Sequence, residues 1–145
     1  MGPGFRMTIG AGPGEVGRVN AAFAEFADAQ ALPAAIRRSV GVALDELLSN
    51  TIRHGFAKAG QAREGGEVVV EVELCPDRLR VTLSDDGGPF NPLDLAAPDT
   101  ALPVDTRQIG GLGIHLVRRL MDEVDYQRRA DRNVVTLAKR LDGGG

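Results

Sequence analysis

The stretch "ALDELLSNTIRHGF", residues 43–56, carries Glu46, Asn50 and His54 at four-residue intervals. In a helix that spacing puts the three side chains on one face. Their types suit a definite chemistry. The side-chain oxygen of Asn50 is a ligand for a hard cation such as Mg2+, which prefers oxygen donors and keeps several waters. Glu46, one turn earlier, is placed to take a proton from an attacking hydroxyl or water. Asparagine is a poor residue for a helix interior because its amide competes for backbone groups, so Asn50 asks for a reason. A solvated helix face with a chance asparagine stays open on spacing alone. His54 has a plain role of its own: in the last helical turn it interacts with the dipole and the free carbonyls.

Two further clusters carry chemistry. In "DDGGPF", residues 85–90, an aspartate followed by glycine is first of all a turn signal. The Asp85 carboxylate can equally accept a hydrogen bond from an exocyclic amine such as that of adenine, and Gly87 lets a flat base approach the backbone. In "GGLG", the backbone N–H groups of Gly110, Gly111, Leu112 and Gly113 open a helix and form an anion site fit for a phosphate chain. A flexible hinge before a helix reads equally well there. Two common phosphate motifs do not fit. A Walker loop needs Gly-Lys-Ser/Thr, which does not occur, and a dinucleotide fingerprint would need glycine where Leu116 stands.

The elements that must position these residues are legible from periodicity. Residues 5–9 suit a short first strand. Val16, Val19, Phe23 and Phe26 keep a helical period over 15–29. Pro33 starts a second helix, expected to run to about Phe56, with Ile36, Val40, Leu44, Leu47 and Thr51 as its buried stripe. The period then changes to two. Val68, Val70, Val72 and Leu74 alternate with glutamates, and after the turn "CPDR" Leu79, Val81 and Leu83 continue, which predicts an antiparallel hairpin. The connection 91–109 holds Pro92, Pro98 and Pro103; at about 19 residues it has the length of functional or mobile loops. A helix follows with Ile114, Val117, Leu120 and Met121 on one face, then strands near 124–127 and 133–139. The order β, α, α, β, β, loop, α, β, β predicts an α+β fold: a two-layer α/β sandwich, a mostly antiparallel mixed sheet with helices on one face.

Composition narrows the class. A chain of 145 residues suggests one domain, 1–145, with a core over 5–141 and frayed ends. The net charge of −3 with dispersed basic residues argues against nucleic acid as partner. No apolar run is long enough to span a membrane, the start lacks a signal-peptide pattern, and Cys75 alone excludes an internal disulfide or a Cys-rich zinc site. A cytoplasmic location is the default expectation.

Taken together, the acid-plus-Asn helix, the strand ending in Asp-x-Gly, the long loop and the glycine-rich helix start resemble the ATP-binding fold shared by gyrase, heat-shock chaperones and histidine kinases. More narrowly, "ALDELLSNTIRHGF", "VTLSDDGGPFNP", "GGLGIHLVRRLMDEVDYQR" and the closing "NVVTLAKRL" are similar to the bacterial anti-sigma factor and serine/threonine-protein kinase family that runs partner switches. The resemblance implies roles by position. Asn50 is the Mg2+-binding asparagine and Glu46 the residue that activates the incoming hydroxyl. Asp85 pairs with the adenine amine of ATP, and Gly87 makes room for the base. Gly111 and Gly113 belong to the box that wraps the phosphates, Arg107 reaches the terminal phosphate, and Thr136 sits behind the adenine with a bridging water. Pro89 departs from the wider pattern, where a glycine is frequent. Implied partners are an anti-anti-sigma antagonist, phosphorylated on Ser or Thr, a sigma factor of RNA polymerase, and a second copy of the chain, paired through the strand 5–9 and the helix 15–29. Two other functions fit the same residues: a nucleotide-dependent binding module without useful turnover, and a switch kinase with no sigma-factor partner.

Overall fold

The computed structural model describes residues 2–12, 14–52, 66–93 and 109–141. Its elements run β1 (Gly4–Ile9), α1 (Glu15–Ala29), α2 (Ala34–Asn50), β2 (Val68–Leu74), β3 (Arg78–Asp85), α3 (Ile109–Leu120), β4 (Glu123–Arg129) and β5 (Arg132–Arg140). This is the expected order. The five strands lie β1-β2-β3-β5-β4, and every pairing is antiparallel, so the sheet is not mixed.

The helices start and stop for local reasons. Gly14, at φ 87°, takes the left-handed conformation that precedes α1 and that glycine adopts without strain. In the first turn the Glu15 carboxylate accepts the Gly10 N–H at 2.8 Å and pairs with Arg18. That backbone bond, then Arg18, hold its pKa below the ordinary value. At the other end, Arg37 of α2 donates to the carbonyls of Ala27 and Leu32, at 3.1 and 2.8 Å, and pairs with Asp28. A cation thus closes the C-terminus of α1. Pro33 is the cap residue before α2 rather than its first helical residue, and its carbonyl accepts the Arg37 N–H. Thr51 keeps helical dihedrals beyond Asn50; the expected continuation to Phe56, with His54, lies outside the described residues.

Alternation in the strands decides which face is buried. Val68, Val70 and Val72 of β2, Leu79, Val81 and Leu83 of β3, and Val135 and Leu137 of β5 pack against Ile36, Val40, Leu44, Leu47 and Leu48 of α2 and Ile114 and Val117 of α3. Each fully buried leucine of that layer stabilises the fold by about 2 kcal/mol. Glu71, Arg80, Thr82 and Asp125 stand on the opposite, polar face. α2 lies between α1 and α3 and contacts both. The hairpin β4–β5 turns on Ala130 and Asp131, both at positive φ (50° and 63°), the two-residue arrangement whose twist suits a hairpin.

Candidate functional site

Asp85 is the last residue of β3, on its core-facing side, and is 6% exposed. Its Oδ1 accepts the Gly87 N–H and the Asn133 Nδ2–H, both at 2.9 Å. Among the described residues no hydrogen bond reaches Oδ2. Burial pushes the carboxyl pKa up; the bonds from Asn133 and Gly87 pull it down, the charge of Asp86 adds to the rise, and Arg132 opposes it. The outcome is a desolvated carboxylate with one oxygen committed to the protein. That suits an acceptor for a single incoming amine.

Asn133 faces Asp85 across the β3–β5 ladder and is 1% exposed. It organises the whole turn after β3. Nδ2 donates to Asp85 Oδ1 and to the Gly88 carbonyl at 2.9 Å. Oδ1 accepts from the Phe90 N–H at 3.1 Å, the Tyr126 hydroxyl at 2.6 Å and Arg128 Nη1 at 3.2 Å. Arg128 Nη1 also donates to the Gly87 carbonyl at 2.8 Å. Pro89, the residue that departs from the family pattern, is therefore held on both flanks by one side chain. Sequence reasoning assigned Asn133, Tyr126 and Arg128 no role. The missed signal was parity: Asn133 shares the buried stripe of β5 with Val135 and Leu137.

The same parity corrects Thr136. It pairs with Thr82 and Asp125 and lines the opposite face of the sheet with Arg80 and Gln127. It cannot stand beside Asp85; Asn133 occupies that place.

The second group forms around α2. Glu46 is half-buried, and Gly113 of α3 lies directly against it: a Cβ on Gly113 would sit 1.8 Å from Glu46 Oε2. Glycine at 113 is thus what allows the helices to approach with the carboxylate between them. Asn50 follows one turn later, 1% exposed, and its Nδ2 has no hydrogen-bond partner among the described residues. Leaving a buried amide unpaired costs about 1–3 kcal/mol, so the position suits a side chain kept for a guest. The Asn50 oxygen is a donor of the kind a hard cation takes. No cluster of three His, Cys, Asp or Glu side chains suited to a metal occurs among the described residues. A cation here would draw most of its ligands from phosphate and water, as Mg2+ does.

The helix α3 is described from Ile109, so Gly110, Gly111, Leu112 and Gly113 fall within its first five residues; the N–H groups of a helix's first turn, here those up to Gly111, have no partner within the helix. The two groups are bridged by the segment after β3. Phe90 is tied to Asn133, and the Leu93 carbonyl accepts Arg118 Nη2 of α3 at 2.9 Å. Arg107 and most of the connection 91–109 lie outside the described residues.

Residues 9–139 match the family model of the histidine kinase-like ATPase domain. The serine-protein kinase RsbW of Bacillus pumilus is 38% identical over 90 residues, 59% of this chain and 54% of that protein. The chain thus spans about half the length of this relative. The serine/threonine-protein kinase BtrW of Bordetella bronchiseptica is 31% identical over 106 residues, 72% of this chain and 70% of its own. Among solved structures, the RsbU and RsbW domains of Rv1364c from Mycobacterium tuberculosis superpose with a TM-score of 0.67 at 19% identity, over 96% of this chain and 32% of that one. That likeness bears on the fold alone.

Proposed function

Because the chain belongs to the histidine kinase-like ATPase domain family, we propose that it is an ATP-dependent serine/threonine-protein kinase that phosphorylates an anti-anti-sigma antagonist. In this reading the same protein holds a sigma factor inactive, forms a homodimer and works in the cytoplasm. Among the described residues no helix is long and apolar enough to cross a membrane.

Each residue has a task in this reading. Asp85 Oδ2 accepts the adenine amine, while Gly87, whose N–H is held by Asp85 Oδ1, and Gly88, whose carbonyl is held by Asn133, keep the backbone close to the base. The opening turn of α3 offers its N–H groups and its positive dipole end to the phosphates. Asn50 holds Mg2+, which when bound neutralises phosphate charge. Glu46 orients the incoming hydroxyl and takes its proton as the new O–P bond forms, while the bond from the γ-phosphorus to its bridging oxygen breaks and ADP leaves. The observation that supports the reading is the close approach of the Glu46 carboxylate to Gly113, in the N-terminal part of α3. Phosphoryl transfer needs little beyond such positioning.

The test incubates the purified chain with Mg2+, radiolabelled ATP and candidate antagonist proteins. Label on an antagonist Ser or Thr is the expected result. Tight ATP binding with no phosphoprotein for any antagonist would overturn the kinase and leave a nucleotide-gated binding module. No ATP binding at all would overturn the site itself.

A further inference from the structure

The Asn133 carboxamide has a fixed orientation, and that orientation sets the hydrogen-bond polarity of the pocket. Its oxygen faces two groups that only donate, the Phe90 N–H and the Arg128 guanidinium; its nitrogen faces the Gly88 carbonyl, which only accepts. A flipped amide would oppose donor to donor at Phe90 and Arg128, and acceptor to acceptor at Gly88. With the amide locked, Nδ2 is the atom presented to Asp85, so Asp85 Oδ1 is filled by a donor and the carboxylate remains an acceptor towards any ligand.

Arg128 is the member of this network that couples amide to turn. One nitrogen, Nη1, bonds both the Gly87 carbonyl and Asn133 Oδ1. The backbone groups that orient the amide stand in the stretch Gly87–Phe90, whose place that bond fixes. Tyr126, from the same strand, adds its hydroxyl to Asn133 Oδ1. Hydroxyls donate or accept, so Tyr126 would tolerate either orientation of the amide, whereas Arg128 tolerates one.

We infer that Arg128, on the edge strand β4, is a positioning residue that determines base specificity: through Asn133 and the Gly87 carbonyl it keeps the pocket acceptor-only, selecting a purine with a 6-amino group over one with a 6-oxo group. The inference rests on the proposed nucleotide site. No contact between Arg128 and the nucleotide is required. The physical basis is that a pocket built for one hydrogen-bond pattern discriminates strongly against the reverse pattern, since a mismatched ligand leaves buried polar groups unpaired.

The experiment measures dissociation constants of Mg-ATP and Mg-ITP by calorimetry for the wild type, Arg128→Met, Arg128→Lys and Asn133→Asp, with circular-dichroism melts to verify folding. ITP carries the 6-oxo group and is otherwise the closest match to ATP. In Arg128→Met the ATP/ITP preference is expected to fall about tenfold, chiefly through weaker ATP binding, the worth of one hydrogen bond to a charged group. Arg128→Lys, which retains a donor, should recover part of the preference. Asn133→Asp places two carboxylates in contact, which must share a proton, and should move preference towards ITP. Equal weakening of both nucleotides in Arg128→Met would reduce Arg128 to a structural prop and overturn the inference, as would an unchanged ratio. If Arg128→Met melts early, the Asn133→Asp ratio decides instead: no movement towards ITP refutes the polarity argument. A wild type that binds ATP without preferring it over ITP also refutes it, leaving the site standing. A wild type that binds neither nucleotide removes the site and this inference together.

Discussion

Replacing Asp85 by Asn separates ligand recognition from folding. An asparagine oxygen in the place of Oδ1 keeps both bonds that Asp85 receives, from Gly87 N–H and Asn133 Nδ2, because both partners are donors. The change falls on the other atom, where an NH2 group replaces the carboxylate oxygen left for the ligand. The variant loses a charge-assisted bond worth about 1.5–3 kcal/mol and sets donor against donor. ATP affinity should therefore fall about a hundredfold. Folding responds differently. Burial raises the Asp85 pKa above its ordinary 3.8, so the folded chain holds this proton more tightly than the unfolded one. For a raised carboxyl the unfolded state releases its proton first as pH increases, and stability falls across the window from the ordinary value up to the raised one, then levels. Asp85→Asn removes that loss, so the nucleotide-free variant at neutral pH should melt no lower than the wild type and its stability should lack this acid-range slope. Calorimetric titration with Mg-ATP and thermal melts by circular dichroism between pH 3.5 and 7.5 read both effects. An unchanged ATP affinity refutes Asp85 as the amine acceptor. A drop in melting temperature beyond about 5 °C, on the order of 1 kcal/mol for a domain of this size, shows that the carboxylate is needed by the fold.

The remaining predictions concern the α2–α3 contact. Glu46→Ala should bind ATP within about twofold of wild type but transfer phosphate about a hundredfold more slowly, read by single-turnover labelling of the antagonist. Gly113→Ala forces the Glu46 carboxylate aside, since the new methyl would meet Oε2 at 1.8 Å; transfer should fall at least about tenfold. Asn50→Ala deletes a buried amide with no partner among the described residues, so nucleotide-free stability should change by less than about 1 kcal/mol, while the gain in ATP affinity on adding Mg2+ over EDTA should disappear.

Where one physical signal dominated, the sequence was readable. The first helix carries a clean 3.6-residue period and spans Glu15–Ala29 as expected. The β2–β3 hairpin alternates apolar with charged residues, and that period fixes both its faces and its register. Glu46 and Asn50 stood out by their four-residue spacing and by an asparagine inside a helical pattern, and Asp85 by the aspartate–glycine signal at the end of a strand. The last strand was harder for a definite reason. Val134–Val135 and Leu137–Ala138 are apolar pairs, which blur the alternation that would have told Asn133 from Thr136. Threonine also suits a strand intrinsically, so nothing local marked it as facing the wrong way. The turn at Ala130–Asp131 lacks the glycine or asparagine that usually announces two left-handed residues, and pairing of β4 with β5 imposes it instead. Arg128 was invisible as a positioning residue because its partners, the Gly87 carbonyl and Asn133, are 41 and 5 residues away and meet only once the sheet is formed. The glycines of α3 read equally as hinge or anion site; only the packing of Glu46 on Gly113 gives that position a steric cause.

Four polar residues are buried among the described ones, Asn50, Thr51, Asp85 and Asn133, and they fall into two unlike pairs. Asp85 and Asn133 face each other across two strands and are joined to the turn Gly87–Phe90 by hydrogen bonds made without any ligand. Asn50 lies at the end of α2, beside Thr51, with its Nδ2 unpaired among the described residues. The cost of these groups is carried by one continuous apolar layer, in which Leu44, Leu47 and Val40 of the same helix are fully buried. The two ends of the proposed site therefore begin from different states. At the base end the protein supplies its own partners, so recognition there is preorganised and a wrong hydrogen-bond pattern meets a rigid frame. At the phosphate end Asn50 Nδ2 has no partner among the described residues, so an acceptor oxygen of a bound phosphate would meet a donor that those residues leave uncommitted. A nucleotide that satisfies both ends would couple them through the segment after β3, where the Leu93 carbonyl accepts Arg118 of the helix that carries Gly113 and the Leu93 side chain shares its core with Ile114 and Val117.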